Sequence, residues 1–186
     1  MTRFMLGIVL VFFFFSGGAY AQFAQVGAGV SLVNGGELEI DEQIYQNQLF
    51  GLYLDAQYPL GKHLFLVPAV QVFLPRKESF ANGGESIATL MNLNTDLFYY
   101  FAPRKKISAY LIGGVNLGFW HIKDQHETSW SGSVDINTWK VKPGLNTGVG
   151  VRFALGYQAY LFSQARFILS SSGQLMWTNG VQFTFN

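Results

Sequence analysis

Five residues within a short stretch, His121, His126, Glu127, Ser129 and Ser131, supply the side-chain types of a hydrolase. A serine nucleophile needs a histidine base within hydrogen-bond reach and a carboxylate to orient that base. Their spacing matches no such motif, and the surrounding 123–137 is rich in Ser, Gly, Asn and charge, so it reads as a loop with solvated side chains and no catalysis is expected. A second cluster, Glu37, Glu39, Asp41 and Glu42, offers oxygen ligands to a hard cation. It lacks the ligand pattern of a 12-residue calcium loop and reads as a solvated acidic loop, so no metal or cofactor is expected. A third set is stranger. Asp55, Asp96, Lys140, Lys142, Arg152 and Arg166 are charges inside strand-like segments, and Asp96 lies within Asn92-Leu93-Asn94-Thr95-Asp96-Leu97-Phe98-Tyr99-Tyr100-Phe101. Burying an unpaired charge is costly, so each must reach a partner or water.

The elements that carry these residues follow from composition and period. Of 186 residues, 49% are hydrophobic and only 12% charged. That is half the charge, about 25%, usual for soluble domains, and points to a surface that is not all wet. The net charge of +1 gives no electrostatic reason to expect nucleic acid. With no Cys there is no disulfide framework, thiolate metal site or lipid-attachment cysteine. The N-terminus carries Arg3, an apolar run from Phe4 to Phe15 and a small-residue stretch ending Ala19-Tyr20-Ala21. This order is that of a secretory signal, with the mature chain expected to begin at Gln22.

Beyond it, no apolar run is long enough for a transmembrane helix. Eight segments instead alternate apolar with polar or small residues: 23–34, 47–58, 63–75, 88–102, 107–122, 138–154, 158–170 and 175–185. Tight turns at Pro59-Leu60-Gly61-Lys62, Pro103-Arg104-Lys105-Lys106 and Leu155-Gly156-Tyr157 alternate with connections at 35–46, 76–87, 123–137 and 171–174, most of them longer. One face of each strand carries residues such as Leu52, Leu54, Leu93, Leu97, Val149 and Val151, and the other carries every in-strand charge. The polar face holds too few charges for a solvated exterior. An apolar face toward lipid and a crowded polar lumen fit better.

On the apolar face, Tyr58, Tyr99, Phe101, Phe153, Phe183 and Phe185 fall near the short-turn ends, and Phe50, Phe119, Trp139 and Trp177 near the long-connection ends. Two interfacial aromatic girdles are expected. Inward positions mix Tyr53, Phe65, Tyr100, Tyr110, Trp120, Tyr160 and Phe162 with Gly27, Gly29, Gly51, Gly114, Gly118, Gly148, Gly150 and Gly180. Large against small predicts a filled interior rather than a pore. Asp55, Asp96, Arg152 and Arg166 fall at overlapping depths and are expected to form one lumen charge network, with Asp96 pointing toward Arg152 or Arg166.

The leader, the eight alternating strands, the alternating connections and the terminal stretch Gly180-Val181-Gln182-Phe183-Thr184-Phe185-Asn186 resemble the small bacterial outer-membrane β-barrels, similar in plan to the OmpA transmembrane domain and OmpX. The resemblance implies an all-β, eight-stranded antiparallel up-and-down transmembrane β-barrel over residues 22–186, in the outer membrane. Its implied partners are outer-membrane lipid and lipopolysaccharide, the barrel-assembly machinery, and a surface or envelope protein. It implies a structural or surface-interaction role through the outer loops. The alternatives are a narrow channel for small solutes or hydrophobic compounds, a secretion-system accessory barrel, and a lipid A-modifying enzyme. His126-Glu127-Thr128-Ser129 departs from the His-x-Ser-Asn pattern of barrel deacylases, and Phe185 is penultimate where such barrels end on an aromatic residue.

Overall fold

A computed structural model of the protein describes residues 24–35, 38–40, 43–45, 49–79, 85–103, 105–128, 132–171 and 173–185. The expected signal segment 1–21, together with Glu37, Asp41, Glu42, Ser129, Ser131 and Asn186, lies outside them. Among the described residues there is no helix, and the alternating segments form strands. These are β1 (Gln25–Gly35), β4 (Leu49–Pro59), β5 (Leu64–Phe73), β7 (Glu85–Tyr100), β8 (Ile107–Thr128), β9 (Gly132–Ala154), β10 (Ala159–Leu169) and β11 (Gln174–Thr184). Short strands β2 (Leu38–Ile40) and β3 (Gln43–Tyr45) pair with each other between β1 and β4, and β6 (Arg76–Ser79) pairs with the start of β7.

Each long strand pairs antiparallel with its chain neighbours, β1 pairs with β11, and the β5–β7 pairing completes the circle. Closure leaves none of the eight strands as an edge. Traced around the wall, Val151 leads to Ser163, Asn179, Val30, Leu52, Val72, Met91 and Phe119, and returns to β9 at Val141, ten residues away from the start. That displacement tilts the strands by about 40° to the barrel axis. The β4–β5 ladder breaks at one point: no pairing joins Ala56 and Gln57 to Pro68 and Val67, because proline has no N–H to give.

Period 2 holds around the whole wall. Leu52, Leu54, Leu145 and Val149 are each more than half exposed on the outside, while Tyr53, Gln71, Asn92 and Asp96 beside them are fully buried inside. The interior closes because large residues face glycines on the next strand. Gly27 pairs with Asp55, Gly51 with Phe73, Gly114 with Asp96, Gly150 with Tyr110 and Gly180 with Phe162. A Cβ at Gly180 would meet the Phe162 ring at 2.7 Å and also the backbone of Ala28. Gly113, on the outer wall, has nothing within 4 Å of the same added atom.

Gly180→Val is therefore expected to destabilise the barrel by about 1–3 kcal/mol, since the interior cannot expand. It will lower the temperature at which the folded band converts to the unfolded band in gel electrophoresis, whereas Gly113→Ala will leave it within a degree or two of wild type.

Candidate functional site

Among the described residues, polar and charged side chains converge in the interior, which is built in three layers. Toward the long connections, Val33, Leu49, Phe73, Leu90, Trp120, Ile122, Ile168 and Met176 form an apolar plug. Leu90 and Met176 are fully buried, and Phe73, Trp120, Ile168 and Val33 are each 1% exposed. Toward the short turns, Phe65, Val67, Phe98, Tyr100, Tyr110 and Ile112 form a second apolar layer. The Phe98 and Tyr110 rings stack at 5.0 Å, and Tyr100 meets Phe65 edge-on at 5.2 Å.

Between them lies a polar layer centred on Asp96. Its Oδ2 is 2.9 Å from Arg166 Nη2, with both side chains buried. Asn146 Nδ2 donates to the other oxygen, Oδ1, at 2.7 Å. From there a chain of neutral groups crosses the barrel. Asn146 and Asn116 each donate to Asn94 Oδ1 at 2.9 Å, and Asn94 donates to Gln71 Oε1 at 3.2 Å. Gln71 donates to Ser31 Oγ at 3.1 Å, and Ser31 and Thr178 share a bond of 2.7 Å. Six strands contribute to this lattice, so each amide fixes the distance between two walls. Amides suit the place because each carries both donors and acceptors and adds no charge.

The expected single network of two carboxylates and two guanidiniums divides in the structure. Arg152 lies in the layer nearer the short turns and, among the described residues, pairs with no carboxylate. Its Nη1 donates to Gln25 Oε1 at 2.9 Å and to Gln182 Oε1 at 3.4 Å, and its Nη2 donates to the Pro103 carbonyl at 2.8 Å. The guanidinium also lies over the rings of Tyr100 and Tyr160, at 4.0 and 4.5 Å from their centroids. A planar cation with carbonyl acceptors at its edge and aromatic faces on its plane needs no counter-ion. Asp55 is 5% exposed and sits over Gly27, where an added Cβ would lie 2.7 Å from its Oδ1. Among the described residues it forms no ion pair.

All ten aromatics expected as girdles sit on the outer wall. Tyr99 and Phe101 meet edge-on at 5.6 Å near the short turns, and Lys106 Nζ lies 5.1 Å from the Phe153 centroid. At the other end the positions are staggered. Trp177 is only two residues above the middle of β11, while Trp139 lies six residues beyond Leu145, the last β9 residue paired with β10. Trp139 stacks on His121 at 4.4 Å, and His121 Nε2 is 2.8 Å from Asn137 Oδ1. His121 is thus held by an amide and an indole. Lys140 and Lys142 are partly exposed at the mouth, on the inward-facing side of β9.

No family model and no curated sequence matches the chain. Solved structures do. Ail, the attachment invasion locus protein of Yersinia pestis, in complex with the heparin analogue sucrose octasulfate, is 12% identical over 87% of this chain and 97% of its own, with a TM-score of 0.60. Neisserial surface protein A is 14% identical over 87% and 96%, also with a TM-score of 0.60. The outer membrane protein OprG from Pseudomonas aeruginosa is 9% identical over 87% and 95%, with a TM-score of 0.55. The chain has the fold of the small eight-stranded outer-membrane β-barrels. Within that fold its polar layer rests on the Asp96–Arg166 pair, and the amide lattice around it was less legible in sequence. Gln71 follows four largely apolar residues in β5, and only its inward parity marks it as part of the lattice.

Removing one partner of a buried ion pair leaves the other charge uncompensated, at about 3–5 kcal/mol. Asp96→Leu or Arg166→Met alone will lower the urea midpoint of the barrel in lipid vesicles, followed by tryptophan fluorescence, by that equivalent. The double variant Asp96→Leu/Arg166→Met will recover a large part of the loss.

Proposed function

We propose that the protein is an integral outer-membrane barrel with a sealed lumen, acting as a structural element and as a surface-contact protein through the connections at its long-loop end. The observation that carries this reading is the apolar plug over the polar layer. Trp120, Phe73, Leu90 and Met176 close one end of an interior whose other end is filled by Tyr100, Tyr110, Phe98 and Arg152. Eight strands leave an interior that side chains can fill, and here apolar layers and an amide lattice fill it. A conducting path would have to break the amide lattice or displace the plug.

The exposed leucines and valines around the wall match a lipid-facing band. Residues 1–21 act on this reading as a cleaved export signal, and residues 22–186 as the barrel inserted by the assembly machinery. The β8–β9 hairpin continues past the last β9–β10 pair, so it projects above the wall and is the natural contact surface for lipopolysaccharide, an envelope protein or another cell. The solved relatives include an attachment protein held with a heparin analogue. That relation is one of fold, and the hairpin here carries its own sequence.

Planar-bilayer recording of the refolded protein tests the sealed lumen. The expected outcome is no discrete conductance step, both for the wild type and for Arg152→Ala, which weakens the barrel without opening it. Regular single-channel steps in the wild type that change size in Arg152→Ala or Trp120→Ala would replace the sealed barrel by a narrow channel.

A further inference from the structure

The outer wall carries one amide where the surrounding side chains are apolar. Asn179 lies at the centre of β11, five residues from both Gln174 and Thr184, and its side chain is exposed on the outside. With strands tilted by about 40°, that is roughly 12 Å from either end and near the middle of a band about 25 Å tall. Its neighbours across the register are Val30 on β1 and Ser163 on β10, and Ser163 in turn pairs with Val151. Asn179, Ser163 and Val151, together with Phe153, Leu161 and Val181, line a shallow hollow in the wall.

Asn179 Oδ1 accepts a bond from Trp177 Nε1 at 3.2 Å. Among the described residues, nothing accepts from its amide nitrogen, and the Ser163 hydroxyl has no partner. Acyl chains have neither donors nor acceptors, so a primary amide at that depth is unfavourable against lipid. Only another protein can supply the missing bonds there. The patch is also self-complementary. An asparagine side chain both donates and accepts, and across a two-fold axis each copy can give its amide hydrogens to the other copy's Asn179 or Ser163 oxygen. Small residues let the walls approach. Ala28, Ser163 and Ala165 stand on the same outer face as Asn179, so three of the six outward positions nearest the amide on β1 and β10 are small, with Val30, Leu32 and Leu161 the bulkier ones.

We propose that this wall is a dimer interface, with Asn179 and Ser163 of one barrel facing the same residues of a second copy in the membrane. The proposal rests on the membrane-embedded reading above. A chain with no cysteine makes the test direct. In outer-membrane fractions, Asn179→Cys treated with copper phenanthroline is expected to give a disulfide-linked dimer. Leu117→Cys, also exposed to the outside but on β8, is expected to give none. In lipid nanodiscs, native mass measurement is expected to find two copies of the wild type, and one copy of Asn179→Leu with an unchanged heat-shifted folded band. Asn179→Gln, which keeps the amide, is expected to stay paired. A wild type that remains one copy per disc, equal cross-linking at both cysteine positions, or a cross-linked product carrying a different protein would each overturn the proposal. If the wild type is retained in the outer membrane yet single, only this inference falls; if it is not retained there, the membrane reading itself falls.

Discussion

A sheet of eight strands closed with a ten-residue displacement encloses a space only as wide as its own side chains. Everything else in the protein follows from that limit. Each inward residue must fit beside those on the neighbouring strands, and the structure meets the requirement by setting bulk against glycine. Asp55 lies over Gly27, Asp96 beside Gly114 and Tyr110 against Gly150. The glycines act through absent volume, since an added carbon at these positions would overlap a side chain or the opposing backbone.

The same limit decides how charge is handled. No bulk water reaches the middle layer, so Asp96 takes one guanidinium and one amide hydrogen, and Asn146, Asn116, Asn94, Gln71, Ser31 and Thr178 bond to one another as neutral groups. Arg152 is satisfied differently, by amide and backbone oxygens and by two tyrosine faces. Two buried carboxylates, Asp55 and Asp96, stand against two buried guanidiniums, Arg152 and Arg166, which keeps the net interior charge small. The arrangement also separates two tasks, since the Asp96–Arg166 layer ties the walls together at mid-height while Arg152 ties the Pro103 turn to the base of β1 and β11.

The exterior obeys a simpler rule, in which apolar residues occupy nearly every position that a bilayer would touch. Departures from that rule are therefore informative. The stack of His121 on Trp139 belongs to the projecting hairpin, where water and headgroups can satisfy it. Asn179 sits far from both ends of β11 and has no such access.

Much of this was legible in the sequence. Alternation is a local property, since successive side chains of a strand point to opposite faces. Residues 92–101 alone therefore assigned Asn92, Asn94 and Asp96 to one face and Leu93, Leu97, Tyr99 and Phe101 to the other. Turn lengths fixed the order of the strands for the same reason, because tight turns join only antiparallel neighbours. Contact across the barrel is a different matter. Asp96 and Arg166 are 70 residues apart, and whether a guanidinium reaches a carboxylate depends on the register of every strand between them. One residue of slip would turn an entire strand inside out, and only closure of the whole sheet removes that freedom. The sequence by itself thus determined which way each side chain faces. The tertiary structure decided which of them meet, placing Arg166 on Asp96, Arg152 on two tyrosines and Asn179 among apolar neighbours on the outer wall.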